Sequence, residues 1–102
     1  MSTSEQVAIL DKAIELISPE GAWIQGAFAR NHLNQQVTSF SSSAVCWCAY
    51  GVLIKCDADP HLVVEVTKSL DGADSLSIWN DHPNRTQQEV IDLLKRVRDK
   101  LA

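Results

Sequence analysis

Ala44-Val45-Cys46-Trp47-Cys48-Ala49-Tyr50-Gly51-Val52-Leu53-Ile54 is the longest uncharged apolar run in the chain, and it has no polar face. An α-helix that is apolar all round belongs inside a bundle, or it uses one side for an oligomer contact. The small residues Ala49 and Gly51 would let a neighbouring element pack closely. We therefore predict a central core helix over 44–56, with a preceding serine as its N-cap, and a homo-oligomer contact through 44–54 as a further use of its surface.

The two ends of the chain are predicted to be amphipathic helices, over 5–17 and 86–101. Ser2 with Glu5, and Thr86 with Glu89, have the spacing of a capping box, in which the two residues satisfy each other's backbone N–H groups. Apolar residues also recur at helical spacing in both segments. They are Val7, Leu10, Ile14 and Ile17 in the first segment, and Val90, Leu94, Val97 and Leu101 in the second.

A further helix is predicted over 60–70, although its sequence also suits a strand. Asp59 followed by Pro60 is a typical helix start, and Asp71-Gly72 is a typical stop. Residues 62–67, however, are rich in β-branched side chains and alternate in polarity, as strands do. The boundary signals favour the helix and leave the strand as an open alternative.

The remaining segments are predicted to be irregular or extended. Residues 29–43 are mostly polar and form a long loop, which a short helical turn near 24–30 precedes. Residues 75–79 form a short extended segment, with Leu76 and Ile78 directed inward. The predicted fold class is therefore mainly α: a small bundle of about four helices in a single domain.

The length and charge of the chain limit the classes of protein to which it can belong. A chain of 102 residues fits one domain, spanning 1–102, that can bury a core without disulfides. The net charge is −4, and the excess of acidic residues lies in 1–81, while 82–102 has an excess of basic ones. Because nonspecific nucleic-acid binding needs a basic surface, nucleic acid is an unexpected partner.

The sequence also indicates the cellular location of the protein and the redox state of its cysteines. No signal peptide opens the chain and the longest apolar run is too short to span a bilayer, so we expect a cytoplasmic protein without membrane contact. The odd number of clustered cysteines (Cys46, Cys48 and Cys56) favours reduced thiols. Their spacing fits no zinc site, and thiols in an apolar helix are usually core residues. We predict no metal, no cofactor and no catalytic residue.

A dense polar turn before the last predicted helix is the candidate site. Backbone N–H groups at a helix N-terminus suit an anion, and Arg85 offers a planar fork for a phosphate or a carboxylate. The candidate ligand-binding residues are Trp79, Asn80, Asp81, His82, Arg85 and Thr86. The alternative is a purely structural turn, in which Asn and Asp side chains close the turn, Thr86 caps the helix, and Arg85 pairs with Asp81 or another carboxylate.

Three short motifs give the chain a resemblance to a known family. They are Trp-x-x-Gly at 23–26, Trp-Cys-x-x-Gly at 47–51, and Trp-Asn-Asp at 79–81 with a following Arg85-Thr86. Together they resemble a small family of domains of unknown function that occurs as short stand-alone proteins in bacteria and bacteriophages. The resemblance implies a helical fold and no particular activity. Because similar proteins occur in phages, it also implies a role in host takeover or in blocking a bacterial defence.

We expect from these observations a non-enzymatic binding module that holds a protein partner or a small polar or anionic ligand near 80–86. The sequence has no Gly-rich phosphate loop, no paired catalytic carboxylates and no nucleophile motif, which favours this class. The alternative is a small hydrolase or transferase, in which Asp81 or His82 acts as general base and Arg85 steadies an anion. That enzyme requires a deep cleft lined by these side chains. A structural subunit of a larger assembly is a third hypothesis.

Overall fold

Five helices and two short strands lie in residues 2–70 and 75–102, the part of the chain that this computed structural model describes. In chain order they are α1 (Thr3–Ile17), β1 (Ala29–Arg30), β2 (Cys46–Trp47), α2 (Ala49–Lys55), α3 (Pro60–Lys68), α4 (Leu76–Asn80) and α5 (Gln87–Leu101). The prediction of a mainly helical fold is confirmed. Within the described ranges the helices number five rather than about four, because a short helix precedes the last one.

The two terminal helices form where the local signals predict them. Both capping boxes are present, with Ser2 and Glu5 at α1 and Thr86 and Glu89 at α5. The two helices pack against each other, and α2 packs against α1. Apolar side chains from all five helices meet in one core, whose members include Leu10, Ile17, Leu53, Leu62, Val66, Leu76, Val90, Leu94 and Val97.

The predicted core helix over 44–56 is wrong in its first part. Cys46–Trp47 is a strand that pairs antiparallel with Ala29–Arg30, and its other edge bonds to the segment around Trp23. The helix begins only at Ala49, and its N-cap is Cys48 rather than a serine: the Cys48 Sγ accepts the N–H of Gly51 at 3.2 Å. An apolar run suits a buried strand as well as a buried helix, and here pairing with remote segments decides between them.

The role predicted for a small residue in this segment is confirmed at Gly51. A methyl group on Gly51 would overlap the carbonyl oxygen of Phe28. The same carbonyl accepts the N–H of Cys48 at 3.2 Å. The absence of a side chain at Gly51 therefore lets the segment that precedes β1 lie directly against the first turn of α2.

Residues 60–68 form a helix, so the strand alternative for 62–67 is excluded. The Asp59 side chain accepts the N–H of Leu62 at 2.8 Å, and Pro60 occupies the first turn. The helix ends at Lys68, two residues before the predicted end. The predicted stop at Asp71-Gly72 lies outside the described residues.

The predicted extended segment over 75–79 is also wrong, because Leu76–Asn80 is a helix. The Ser75 hydroxyl caps it by accepting the N–H of Ile78 at 3.2 Å. Leu76 is buried as predicted, whereas Ile78 is 61% exposed. Two residues apart share a face in a strand but point to nearly opposite sides of a helix, which explains the difference.

The polar loop predicted over 29–43 begins with β1 and continues as turns. The Asn31 side-chain oxygen accepts the N–H groups of Leu33 and Gln35, each at 3.0 Å, and so closes the first turn. The helical turn predicted near 24–30 is replaced by bends that lead into the strand.

No helix within 2–70 or 75–102 is long and apolar enough to cross a bilayer.

Candidate functional site

Asn80 is fully buried at the end of α4, and its side chain joins three parts of the chain. Its Oδ1 accepts two hydrogen bonds, one from Nε1 of Trp23 at 2.7 Å and one from the backbone N–H of Ala49 at 2.9 Å. Its Nδ2 donates to the carbonyl of Ile24 at 3.1 Å and to Oδ1 of Asp81 at 3.0 Å. The protein itself thus satisfies both donors and both lone pairs of the amide.

Neighbouring groups of the first motif hold the backbone of the same turn. Gln25 Nε2 donates to the carbonyls of Asn80, at 2.9 Å, and of His82, at 2.8 Å. The N–H of Gly26 donates to Oδ1 of Asp81 at 3.0 Å, and Gly26 has a φ of 83°, which an L side chain rarely adopts. The three sequence motifs therefore meet in one hydrogen-bonded junction.

A concave pocket of about 230 Å³ opens beside this junction. Its lining residues are Gly26, Ala27, Phe28, Gln36, Cys48, Ser77 and Asp81. Among these described residues, Asp81 is the one acidic side chain, and none is Lys, Arg or His. Cys48 is 3% exposed, while Phe28 is 54% exposed. The pocket therefore combines a carboxylate with apolar walls.

The Cys48 thiol is unsuited to act as a nucleophile in this pocket. Burial raises its pKa, and the Asp81 carboxylate raises it further. Hydrogen bonds from the backbone N–H groups of Gly51 and Tyr50 lower it, but by less than burial raises it. The thiolate is the reactive form of cysteine. Because the pKa of Cys48 is raised, its side chain is an uncharged thiol at pH 7 and serves only to line the pocket.

Arg85 lies on the other side of the turn, where it contacts Trp79. Its guanidinium carbon is 3.9 Å from the centre of the indole ring, and its Nε donates to the carbonyl of Trp79 at 2.9 Å. Its Nη1 pairs with Oε2 of Glu89 at 3.0 Å, so Glu89 is the carboxylate partner rather than Asp81. A second pocket of about 180 Å³ lies here, lined by Leu70, Trp79, Arg85, Glu89, Asp92 and Arg96.

Glu89 occupies the N-terminus of α5, where an external anion was expected to bind. Its Oε1 accepts the backbone N–H of Thr86 at 3.0 Å and the Thr86 hydroxyl at 3.2 Å. The backbone hydrogen bond is the main reason that the pKa of Glu89 is lowered, and the Arg85 guanidinium lowers it further. The negative charge favoured at this helix end is thus supplied by the chain itself.

The structure brings some of the predicted site residues together and separates others. Asp81 lines the first pocket, whereas Trp79 and Arg85 line the second. Asn80 lies inside the protein. His82 and Thr86 are exposed at the turn, where His82 Nδ1 accepts the N–H of Asn84 at 3.3 Å.

Sequence reasoning missed four of the side chains that line the first pocket: Phe28, Gln36, Cys48 and Ser77. They come from the segment before β1, from the loop after β1, from the N-cap of α2 and from α4 itself, and only the folded chain brings these segments together. The sequence predicts Cys48 inside a helix, whereas in the structure it is the N-cap that precedes α2. Among the described residues, no group of three or more His, Cys, Asp or Glu side chains could hold a metal ion.

Comparison with known proteins yields one finding about the relationships of the chain. No curated protein and no solved structure shows significant similarity to it. A family model, described as a family of unknown function (DUF6197), matches residues 1–100. Because this match covers nearly the whole length, the chain belongs to the DUF6197 family.

Proposed function

We propose that the protein is a non-enzymatic binding module whose recognition site is the first pocket, beside the Asn80–Thr86 turn. The observation that carries this proposal is the fixed orientation of Asp81. Its Oδ1 accepts hydrogen bonds from Gly26 and Asn80, whereas its Oδ2 has no bond to residues 2–70 or 75–102. A carboxylate held in advance loses little freedom when a ligand binds, which favours recognition.

The size of the pocket limits what it can hold. Its volume of about 230 Å³ lies below the range of roughly 300–1,000 Å³ that is typical of sites for drug-sized ligands. The expected occupant is a small polar ligand or a single side chain of a protein partner. Both are accommodated by a pocket with apolar walls and a few polar groups.

The contacts favour this site over an anion site at the start of α5. Arg85 is engaged by the Trp79 carbonyl and by Glu89, and Glu89 already takes the helix N-terminus. The same contacts give no specific support to the hydrolase or transferase alternative. Asp81 and Arg85 open onto different pockets, and His82 lines neither of them.

The resemblance to bacterial and bacteriophage proteins adds a setting to the proposal. In the cytoplasm of a bacterium or of a phage-infected host, a module of this kind would act by occupying a host or phage protein. The apolar surface around Tyr50, Ile54 and Val64, which borders a further pocket, is the candidate for self-association. A mass that rises with protein concentration would support the oligomer.

Two-dimensional ¹H–¹⁵N NMR of the labelled protein with a mixed fragment library tests the proposed site. We expect saturable binders whose largest shifts fall on the amides of Gly26, Phe28, Ser77 and Asp81. Asp81→Ala should remove these shifts, while Glu20→Gln, at an exposed carboxylate outside the pocket, should leave them unchanged. Binders that shift only resonances elsewhere, or a library without any binder, would overturn the proposal.

A further inference from the structure

We propose that the first pocket recognises a cationic nitrogen, such as an ammonium or guanidinium group, on a short apolar body. This inference rests on the proposed function above and names the chemistry of its ligand. The charge of the lining is the first argument. Asp81 is the one charged side chain among the described residues of the lining, and none of these residues is basic. A cation would gain a charge-assisted hydrogen bond, whereas an anion would be repelled by the carboxylate.

Three polar side chains of the pocket lining, Gln36, Ser77 and Asp81, can accept hydrogen bonds from a ligand. Ser77 lies in the first turn of α4, and Asp81 is the C-cap, four residues later. The N–H of Asp81 donates to the Ser77 carbonyl at 3.0 Å, so both side chains lie on one face. Gln36 contributes an amide from the loop. The Ser77 hydroxyl, the Gln36 amide and the Asp81 Oδ2 make no hydrogen bond within the described residues. An ammonium group carries three donors, which these three side chains can accept.

The apolar part of the pocket lining is formed by Ala27, Phe28 and Cys48. Phe28 is about half exposed as a residue, and its ring packs against Tyr50 with the ring centres 5.3 Å apart. The face of an aromatic ring attracts a cation electrostatically, and an aromatic side chain can cover the methylene groups that carry the cation. The buried Cys48 thiol and Ala27 add further apolar contact. A short alkyl chain with a terminal cation matches both parts of the lining.

The same chemistry has two sources, a free small amine and the side chain of a lysine or arginine on a partner protein. Four probes separate the possibilities: n-butylamine, n-butylguanidine, n-butyrate, and the peptide acetyl-Gly-Lys-Gly-amide with its norleucine counterpart as control. Affinity is measured by ¹H–¹⁵N NMR titration, followed on the amides of Gly26, Ser77 and Asp81. Tighter binding of the free amines indicates a small ligand, and tighter binding of the lysine peptide indicates a protein partner; either supports the inference.

Asp81→Asn is the decisive variant, because asparagine keeps an oxygen to accept the Gly26 N–H but loses the charge. We expect it to weaken binding of the cationic probe by about tenfold or more, as for loss of a charge-assisted hydrogen bond. Ser77→Ala should weaken it less, and Glu20→Gln should leave it unchanged. Butyrate that binds as tightly as butylamine, or an Asp81→Asn variant of undiminished affinity, would overturn the inference. If neutral or anionic fragments saturate the pocket and cations do not, the inference fails while the proposed function stands.

Discussion

Nε1 of Trp23 donates a hydrogen bond of 2.7 Å to Oδ1 of Asn80, although 57 positions separate the two residues in the chain. The same oxygen accepts the N–H of Ala49 at the start of α2. One buried amide therefore fixes the relative positions of the first motif, the second helix and the polar turn. Asp81 is the next residue, so the orientation of the carboxylate in the proposed site depends on this junction.

Replacing Asn80 with alanine should destabilise the protein strongly. The change leaves the Trp23 indole, the Ala49 N–H and the Ile24 carbonyl without a partner. Each unsatisfied buried group costs about 1–3 kcal/mol, so we expect a loss of about 3 kcal/mol or more in the free energy of unfolding, measured in urea. Asn84→Ala, at an exposed residue of the same turn, is the matched control. Equal losses in the two variants would show that Asn80 has no special role.

Gly51→Ala tests the close approach of α2 to Phe28. Alanine in a helix normally gains about 1 kcal/mol over glycine. Here its methyl group would overlap a backbone carbonyl, which cannot move as a flexible side chain can. We expect a net loss of about 1–3 kcal/mol in thermal or urea unfolding, as for overpacked sites. A stabilised variant would mean that the two segments lie further apart than described.

Gln87 should stabilise the C-terminus of α1 from the first turn of α5. Its Nε2 donates to the carbonyl of Ile17 at 2.6 Å, a group at the end of the helix that has no partner within it, and to the carbonyl of Pro19 at 2.8 Å. Gln87→Ala should cost about 1–2 kcal/mol in urea unfolding. Among the described residues, the side chain of the neighbouring Gln88 bonds only to Asp92 in its own helix, so Gln88→Ala should cost less than about 0.5 kcal/mol. A reversed order would contradict this role.

Much of the fold follows from local signals, and the site does not. The capping boxes at Ser2 and Thr86 act within four residues, so the sequence indicates both terminal helices directly. The strand at Cys46–Trp47 requires a partner strand 17 residues earlier, and no short sequence pattern predicts that pairing. The helix after Ser75 has only five residues, too few for a clear period.

The motifs themselves could be identified, but their meeting point could not. Trp23 bonds to Asn80, and Gly26 bonds to Asp81, each across more than fifty residues. No local sequence pattern predicts contacts over such a separation. The prediction that Asp81 belongs to a site stays a prediction, now attached to a defined pocket. Two other residues of its lining are Phe28, which the sequence placed in a short helical turn, and Gln36, which it placed in the long polar loop.

Stability should fall in acid partly through Glu89. Its pKa is lowered in the folded state, mainly by the backbone N–H of Thr86, so the folded protein binds this proton less readily than the unfolded chain does. The stabilisation is therefore complete above the ordinary pKa of glutamate, about 4.3, and is lost as pH falls through the lowered value. Urea unfolding of Glu89→Gln between about pH 6 and about pH 3 should show a shallower pH dependence than the unaltered protein. An unchanged slope would contradict the capping contact.

Hydrogen exchange of the three tryptophan indole protons, followed by ¹H–¹⁵N NMR, tests the junction at Asn80 most directly. Trp23 donates to Asn80 and Trp47 donates to the Ser39 carbonyl at 3.2 Å, whereas the Trp79 indole N–H makes no hydrogen bond within the described residues. We predict that the Trp23 proton exchanges slowly, with protection comparable to that of the Ala49 amide, while the Trp79 proton exchanges fast. A Trp23 indole proton that exchanges as quickly as that of Trp79 would contradict the junction and the pocket built on it.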